Sequence, residues 1–427
     1  MPQSHADDRV VFAHVDVLDP EAGRLLKDRF VLVEGATIRS VTEQMPQAAG
    51  AQVIDGRGKV LMPGLIDCHV HCLASMLNLG RLARLPNVLA VLRAVPLLQG
   101  MLARGFTTVR DAGGADFSLA EATRTGVIEG PRVFPSGRAL SQTGGHGDFR
   151  ERSDILEPCA CTPKIGAIAR VVDGVDAIRL AVREEIQMGA TQIKIMASGG
   201  VASPNDPVHF LGYSEDEIRA AVEEASNAGT YVMAHAYTAR AIARAVRCGV
   251  RTIEHGNLVD AEAAQVMADH GAIAVPTLAT YEALAAEGAG LGFPPEAVAK
   301  IEAVRGAGRR SLEIFARAGV RMAYGSDLLG ETQRLQSDEF ALRAAVLGAA
   351  EAIRAATTHA AFLLNMQGQL GTVAAGALAD LLLVDGNPLE NIDLLRGQGE
   401  SLLVTMKDGR ILKNLLTQGE PRDPDAP

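Results

Sequence analysis

Apolar runs with β-strand character alternate with Ala-, Glu- and Arg-rich helical stretches through the middle of this 427-residue chain. This alternation predicts βα units and a parallel sheet. Eight units in about 300 residues favour an α/β fold of the (β/α)8 TIM-barrel type, for which about 250 residues plus insertions are expected. A doubly wound open sheet is the alternative, but no G-x-G-x-x-G follows the first strand. The strands are predicted at 65–71, 106–111, 132–137, 191–196, 230–235, 251–255, 272–276 and 321–326.

Both ends of the chain also have β-strand character. Val- and Ile-rich runs near the start are separated by a turn at Glu34-Gly35-Ala36, and short apolar runs near the end are joined by a hairpin turn at Lys407-Asp408-Gly409. We therefore expect the two ends to pair into one small β-sandwich domain. The predicted boundaries are 1–62 and 367–427 for the two parts of the sandwich and 63–366 for the barrel.

The composition excludes several classes of protein. With 41 Lys and Arg, 51 Asp and Glu and no Trp, the chain has a formal net charge of −10 and lacks the basic surface and stacking aromatics that nucleic-acid binding needs. No apolar run approaches the roughly 18 residues that span a bilayer, and the N-terminal segment has no secretory pattern. Five cysteines in so long a chain do not indicate a disulfide scaffold. We expect a cytoplasmic protein that acts on a small molecule, with no nucleic-acid or membrane partner.

Histidines at strand ends are the main candidates for chemistry, because active-site residues of a barrel lie at the carboxyl ends of its strands. In the first predicted strand, the two-residue period of a strand places Asp67, His69 and His71 on one face. Two imidazoles on one face at a strand end are typical of a metal site. The alternative is a pair of buried histidines whose hydrogen bonds are satisfied within the core.

A lysine, Lys194, lies inside the fourth predicted strand, where a charged amine is costly unless it is neutralised, paired or modified. A salt bridge to a neighbouring acid, or a side chain that reaches the barrel rim, would explain it without a function. The functional alternative is a lysine carboxylated by carbon dioxide, which becomes an anion able to bridge two metals. The choice depends on whether other ligands are present. The fifth, sixth and eighth strands end in His235, His255 and Asp327, which favours the metal site.

Together these residues resemble a known family. PGLIDCHVH, the Lys-Ile before MASGG, the histidine of MAHAYT, IEHG and GSD are similar to the motifs of the amidohydrolase superfamily of metal-dependent barrels, and the resemblance covers nearly the whole chain. The lysine resembles that of the binuclear branch. TGGHGD, KIMASGG and AHAYT resemble the prolidase-like group, which removes a C-terminal residue from dipeptides or N-acyl amino acids and includes the ochratoxin amidohydrolases.

The resemblance implies a ligand set and a mechanism. It implies that His69, His71 and Asp327 hold one divalent ion, that His235 and His255 hold the other, and that carboxylated Lys194 bridges them. Nitrogen and oxygen ligands suit Zn²⁺, our first choice, and also Mn²⁺ or Co²⁺. A metal-activated hydroxide would attack the amide carbonyl, and Asp327 would pass the proton to the leaving nitrogen.

Two further residues are candidates for contact with the substrate. His146, in the TGGHGD loop after the third strand, is expected from the resemblance to donate a hydrogen bond to the oxyanion of a tetrahedral intermediate. Tyr237 has the same strand parity as His235 and lies just beyond it, so its hydroxyl is expected to contact a substrate carboxylate. An exposed loop histidine and a rim tyrosine are the alternatives without a function.

Three segments are long for connections on the catalytic face, namely 138–165, 201–213 and 277–298. We expect them to form walls or a lid, with 277–298 as an apolar, mobile cover that favours a substrate with an apolar or aromatic part beside a carboxylate.

The leading hypothesis is a binuclear metal-dependent amidohydrolase that hydrolyses the amide before a C-terminal amino acid in a dipeptide, an N-acyl amino acid or an ochratoxin A-like molecule. The alternatives are a lactonase or cyclic amidohydrolase that uses the same site, and a non-catalytic scaffold homologue. Relatives of this group are often symmetric assemblies, so we expect a homo-oligomer.

Overall fold

The computed structural model describes residues 9–150, 164–201, 203, 206–291 and 295–416. Within them, no helix is long and apolar enough to cross a membrane.

The two ends of the chain form one eight-stranded sheet, in the order β17-β16-β15-β5-β1-β2-β3 with β4 beside β1. The junction is an antiparallel pairing of β5 with β15, in which Pro63 lies opposite Leu381 and Val60 opposite Val384. The expected pairing of the chain ends is therefore present, and a two-layer sandwich stays a prediction. The strands are β1 Arg9–Asp19, β2 Arg24–Glu34, β3 Thr37–Thr42, β4 Gln52–Asp55, β5 Val60–Pro63, β15 Leu381–Val384, β16 Leu402–Lys407 and β17 Arg410–Asn414.

Strand β15 shows how this sheet is attached to the rest of the chain. Successive side chains of a strand point to opposite faces, so Leu381 and Leu383 lie on one side and Leu382 and Val384 on the other. The first pair packs in a cluster formed by the terminal strands, whereas the second packs in a cluster that includes Phe106 of the central domain. Both faces of the strand are thus buried.

The central domain contains two parallel sheets, which give it a TIM-barrel-like α/β architecture. Three strands are ordered β6-β7-β8, and six are ordered β10-β9-β11-β12-β13-β14. Their bounds are β6 Leu65–Val70, β7 Phe106–Asp111, β8 Arg132–Phe134, β9 Ala139–Ser141, β10 Ala169–Val171, β11 Ile193–Met196, β12 Val232–Thr238, β13 Thr252–Leu258 and β14 Ile273–Val275.

The predicted eighth strand, 321–326, is not a regular strand. Met322 forms an isolated parallel bridge with Ala274. Further along, the amide of Cys68 donates to the carbonyl of Tyr324 (2.8 Å) and the amide of Asp327 to the carbonyl of His69 (2.8 Å). The segment has hydrogen bonds to both β14 and β6, but it forms no continuous ladder with either.

The helices are α1 Leu79–Leu82, α2 Asn87–Ala103, α3 Phe117–Thr125, α4 Val175–Gln187, α5 Glu215–Asn227, α6 Ala239–Arg247, α7 Ala261–Asp269, α8 Leu278–Glu287, α9 Pro295–Arg317, α10 Asp338–Leu347, α11 Ala349–Ala355 and α12 Thr358–Leu363, with short 3-10 helices at Gly330–Leu335 and Ile392–Leu395. Several follow their strands directly. Helix α6 begins immediately after β12, and the Thr238 side chain accepts a hydrogen bond from the amide of Ala241, which is an N-cap.

Two expectations about loops need correction. The segment 277–298 was expected to be an apolar, mobile cover, but it contains the whole of α8 and the start of α9, and the apolar side chains of α8 that suggested a cover are mostly buried. The segment 138–165 contains strand β9, and its residues 151–163 lie outside the described part of the chain.

Candidate metal centre

The H-x-H motif lies at the end of β6, as predicted. His69 and His71 are both buried. Nδ1 of His69 donates to Oε2 of Glu254 (2.7 Å), and Nδ1 of His71 donates to the carbonyl of Gly113 (3.0 Å). Each ring therefore has its Nδ1 occupied by an acceptor on the protein, and Nε2 is the nitrogen available to a ligand.

The histidines of β12 and β13 are arranged in a similar way. Nε2 of His235 donates to the carbonyl of Gly199 (3.1 Å), and Nδ1 of His255 is hydrogen-bonded to the hydroxyl of Thr277 (2.8 Å). One nitrogen of each ring remains available. His255 has a backbone φ of 73°, a left-handed conformation that is uncommon for a residue with a side chain and that clusters at functional sites.

Asp327 lies against these rings. Its Oδ1 is 3.3 Å from Nε2 of His69 and 3.3 Å from Nε2 of His71, and its backbone φ is 52°. Burial alone would raise the pKa of Asp327, but the facing imidazoles hold it well below its usual range. The side chain is therefore a carboxylate anion.

The donor set fits a divalent cation. Successive ring centroids are 5.6 Å apart from His71 to His69, 5.0 Å from His69 to His255 and 4.6 Å from His255 to His235. Among the described residues, the ligand atoms of His69, His255 and Asp327 lie within 4.8 Å of one another. Metal-binding histidines almost always donate their second N–H to an acceptor on the protein, which is the arrangement seen here.

Lys194 lies in β11 and is 2% exposed. Burial lowers its pKa to about 8, with the carboxylates of Glu254 and Asp327 acting against that change. Among the residues that the structure describes, no carboxylate forms a salt bridge with its amine, so the structural alternative of an ion-paired lysine is not supported. A pKa of about 8 leaves roughly a tenth of the amine neutral at pH 7, far more than at its ordinary value of 10.5, and the neutral form is the one that reacts with carbon dioxide.

A buried Arg–Glu pair below the histidines was missed by the sequence analysis. Nη2 of Arg110 lies 2.9 and 3.0 Å from the two carboxylate oxygens of Glu254, which also accepts a hydrogen bond from His69. The available signal was strand parity, since Thr252 and Glu254 alternate with Ile253 along β13. This pattern places a carboxylate inside the barrel-like domain, where it orients a candidate ligand.

His146 lies beside His235, with the two rings stacked at a centroid distance of 4.2 Å. Its Nδ1 is 2.7 Å from the hydroxyl of Ser203 and 3.4 Å from Oδ2 of Asp206. The ring therefore extends the line of imidazoles by one. Neither Ser203 nor Asp206 was singled out from the sequence, and no motif spacing marks them.

Tyr237 is not a rim residue, because its side chain is buried. Its ring stacks on that of His255 at 5.2 Å, and its hydroxyl is 2.9 Å from the hydroxyl of Tyr281 on α8. Tyr281 was missed because its segment was interpreted as a loop. The pair places two phenol groups beside the candidate metal ligands.

Comparisons with known proteins identify the family of the chain. The model of the family described as "Amidohydrolase family" matches residues 60–420, so the chain belongs to that family and is a hydrolase of amide bonds. A solved prolidase complexed with N-methylphosphonate-L-proline is 62% identical, with a TM-score of 0.94 over 95% of this chain and 100% of that chain. Ochratoxinase from Aspergillus niger is 32% identical over 84% of this chain and 76% of its own length. A solved Xaa-Pro dipeptidase with bound methionine is 28% identical, with a TM-score of 0.84 over 95% of this chain and 100% of that chain.

Proposed function

We propose that the protein is a binuclear metal-dependent amidohydrolase that cleaves the amide bond before a C-terminal amino acid. The observation that carries the proposal is the row of four buried imidazoles, each with one nitrogen hydrogen-bonded to the protein, beside a carboxylate anion and a buried lysine that forms no salt bridge within the described residues. The similarity to a prolidase solved with a proline phosphonate supports dipeptides with C-terminal proline as the first substrates to test. The similarity to an ochratoxinase supports aromatic N-acyl amino acids as the second.

In this proposal His69, His71 and Asp327 would hold one ion, His235 and His255 would hold the other, and carboxylated Lys194 would be a ligand shared by both. The neutral amine of Lys194 forms an N–C bond to carbon dioxide and loses a proton. When bound, the two ions, which we expect to be zinc, would acidify water and polarise the amide carbonyl.

The protein's own groups would handle the protons and orient the substrate. Asp327 would take a proton from the attacking water and give it to the leaving nitrogen, because an amine leaves poorly unless it is protonated. His146 would stabilise the oxyanion by donating a hydrogen bond from Nε2. Tyr237 would hold the substrate carboxylate.

We also propose that the two parallel sheets close into a barrel, with 321–326 as the eighth strand. Its hydrogen bonds to both β14 and β6 support this closure. The domain boundaries at 1–62, 63–366 and 367–427, the terminal sandwich and a homo-oligomeric assembly remain part of the proposal.

The test is a hydrolysis screen with Xaa-Pro dipeptides, N-acyl amino acids, ochratoxin A and simple lactones, with product analysis and metal analysis on the same preparation. We expect release of a free C-terminal amino acid and about two metals per chain. Lactone opening without amide cleavage would instead favour the lactonase, and absence of both metal and turnover would favour the scaffold.

Two variants test the roles of individual residues. Lys194→Ala is expected to lose metal and turnover together, and full retention of both would refute the bridging carbamate. His146→Ala is expected to abolish most turnover while metal content stays at the wild-type level. Near-wild-type turnover in this variant would remove His146 from the mechanism.

A further inference from the structure

The ring of His146 has close neighbours. It stacks on the ring of His235 at a centroid distance of 4.2 Å. Gly200 lies so near that a Cβ added to it would be 2.0 Å from Cε1 of the imidazole. The ring therefore has little freedom to shift, but this packing does not determine which of its nitrogens faces a substrate.

The hydrogen bonds of Ser203 determine which nitrogen of His146 is occupied within the protein. The hydroxyl of Ser203 donates to Oδ1 of Asp206. The Oγ atom of Ser203 also lies 2.7 Å from Nδ1 of His146. A serine hydroxyl has a single proton, so the proton in the second contact belongs to Nδ1 of His146. Nε2 is then the ring nitrogen that remains for a substrate.

Asp206 is itself held firmly. It is 2% exposed, and its Oδ2 accepts a hydrogen bond from the amide of Gly200 (2.9 Å). Nζ of Lys300, on α9, donates to the carbonyls of Gly200 (3.3 Å), Ser203 (3.0 Å) and Asp206 (3.2 Å). Burial would raise the pKa of Asp206, but His146, Ser203 and the charge of Lys300 lower it, so the group is an anion.

We propose that Asp206, acting through Ser203 and fixed in place by Lys300, is the positioning residue for His146. It keeps the proton on Nδ1 and directs Nε2 toward the substrate carbonyl. This inference rests on the proposed function, because it assumes that His146 contacts the substrate. A third group that orients an imidazole is a general device of catalytic sites.

The kinetic test is a double-mutant cycle on the metal-loaded full chain, with the best substrate of the screen. Asp206→Asn is expected to lower kcat by about 10–100-fold with little change in KM and unchanged metal content, a loss of the size seen when the outer partner of a functional histidine is removed. In the His146→Ala background the same substitution is expected to have almost no further effect. An equal loss in both backgrounds would show a merely structural role and overturn the proposal.

Two further variants and one control sharpen this test. Ser203→Thr retains the hydroxyl and is expected to retain most of the activity, whereas Ser203→Ala is expected to behave like Asp206→Asn. Asp173→Asn is the control. Asp173 accepts hydrogen bonds from Thr143 (2.9 and 2.7 Å), in the loop that contains His146, but it does not contact His146 itself. Its effect should be small and the same in both backgrounds.

A spectroscopic readout keeps the proposal testable if wild type cleaves none of the substrates, in which case the proposed function fails separately. In protein labelled with 15N-histidine and loaded with zinc, the His146 signals are identified by their loss in His146→Ala. We expect a protonated Nδ1 in wild type and a shift of both ring nitrogens in Asp206→Asn. An unprotonated Nδ1, or no response to Asp206→Asn, would overturn the assignment.

Discussion

Two Arg–Glu pairs, Arg110–Glu254 and Arg343–Glu339, are fully buried, with both side chains of each pair 0% exposed. The first lies beneath the candidate metal ligands. The second lies within α10, where Glu339 accepts a hydrogen bond from the amide of Ala279 (2.7 Å) at the start of α8. The same two residue types in the same degree of burial thus occur in very different surroundings.

The two carboxylates differ in the donors around them. Besides Arg110, Glu254 accepts hydrogen bonds from Thr252 (2.6 Å) and His69 (2.7 Å). Glu339 accepts from Arg343 (2.8 Å) and one amide, and Nη1 of Arg343 is among the buried polar atoms of the described residues that have no partner.

This difference has an electrostatic consequence. Burial acts to raise the pKa of both groups. For Glu254, the charge of Arg110 and the hydrogen bond from His69 outweigh burial and hold the pKa well below its usual range. For Glu339, burial outweighs the pairing with Arg343 and raises the pKa to about 7. A buried carboxylate is therefore a fixed anion only where the fold surrounds it with several donors, and here that place is next to the candidate metal ligands.

The largest effect is expected for Glu254→Gln. The substitution leaves Arg110 buried without a counter-charge, which should lower the free energy of unfolding by about 3–5 kcal/mol. It also removes the anion that orients His69, so metal affinity should fall by about 10–100-fold. Urea unfolding and chelator competition measure the two changes. If the free energy of unfolding and the metal affinity both stayed at their wild-type values, the Arg110–Glu254 pair would contribute neither to stability nor to metal binding.

The matched substitution Glu339→Gln is expected to behave differently with pH. Unfolded Glu339 ionises near 4.5, whereas the folded group keeps its proton up to about 7. Because the pKa of Glu339 is higher in the folded state, the stabilising contribution of its protonated side chain is complete below pH 4.5. This contribution is lost as the pH rises from 4.5 through about 7. The variant should therefore gain stability relative to wild type between pH 4.5 and 7.

Parallel urea unfolding series of wild type and Glu339→Gln over this pH range measure the difference, in which other titrating groups cancel. A constant difference between the two proteins would contradict the raised pKa of Glu339.

A smaller effect is expected for Asp380→Asn, at the junction of the terminal sheet and the central domain. Asp380 accepts hydrogen bonds from Arg132 (2.6 and 3.3 Å), whose side chain is 19% exposed and therefore partly solvated. The free energy of unfolding should fall by about 1–3 kcal/mol. Turnover and metal content should not change, because the pair contacts none of the candidate ligands. A loss of metal would show that the junction and the site are coupled.

The smallest effect is expected for Arg219→Ala on α5. Arg219 and Glu215 form an i,i+4 pair in which both side chains are 51% exposed, and exposed pairs contribute little. The midpoint of urea unfolding should not move measurably. A clear shift of the midpoint would mean that the exposure of a charged pair does not predict how much the pair contributes to stability.

Strand parity and strand ends were sufficient to single out five residues as candidate ligands, because each stands out within its own short segment: His69, His71, Lys194, His235 and His255. The structure brings these residues together. Tyr281 was missed because its segment was interpreted as an apolar loop. The helix α8 that follows β14 has the same apolar composition as such a loop, so composition alone did not distinguish the two. The segment at 321–326 was interpreted as a strand because it is apolar, and an apolar pattern does not show that its pairing with β14 is limited to an isolated bridge.

The sequence by itself determined the alternation of strands and helices and the side-chain types at the strand ends, because both depend on local periodicity. Only the tertiary structure decided which nitrogen of each histidine is occupied, which carboxylate is an anion, and that Ser203 and Asp206 face His146. The physical reason is separation along the chain. His69 and Glu254 are 185 residues apart and His146 and Ser203 are 57 apart, so their hydrogen bonds exist only once the fold has brought them together.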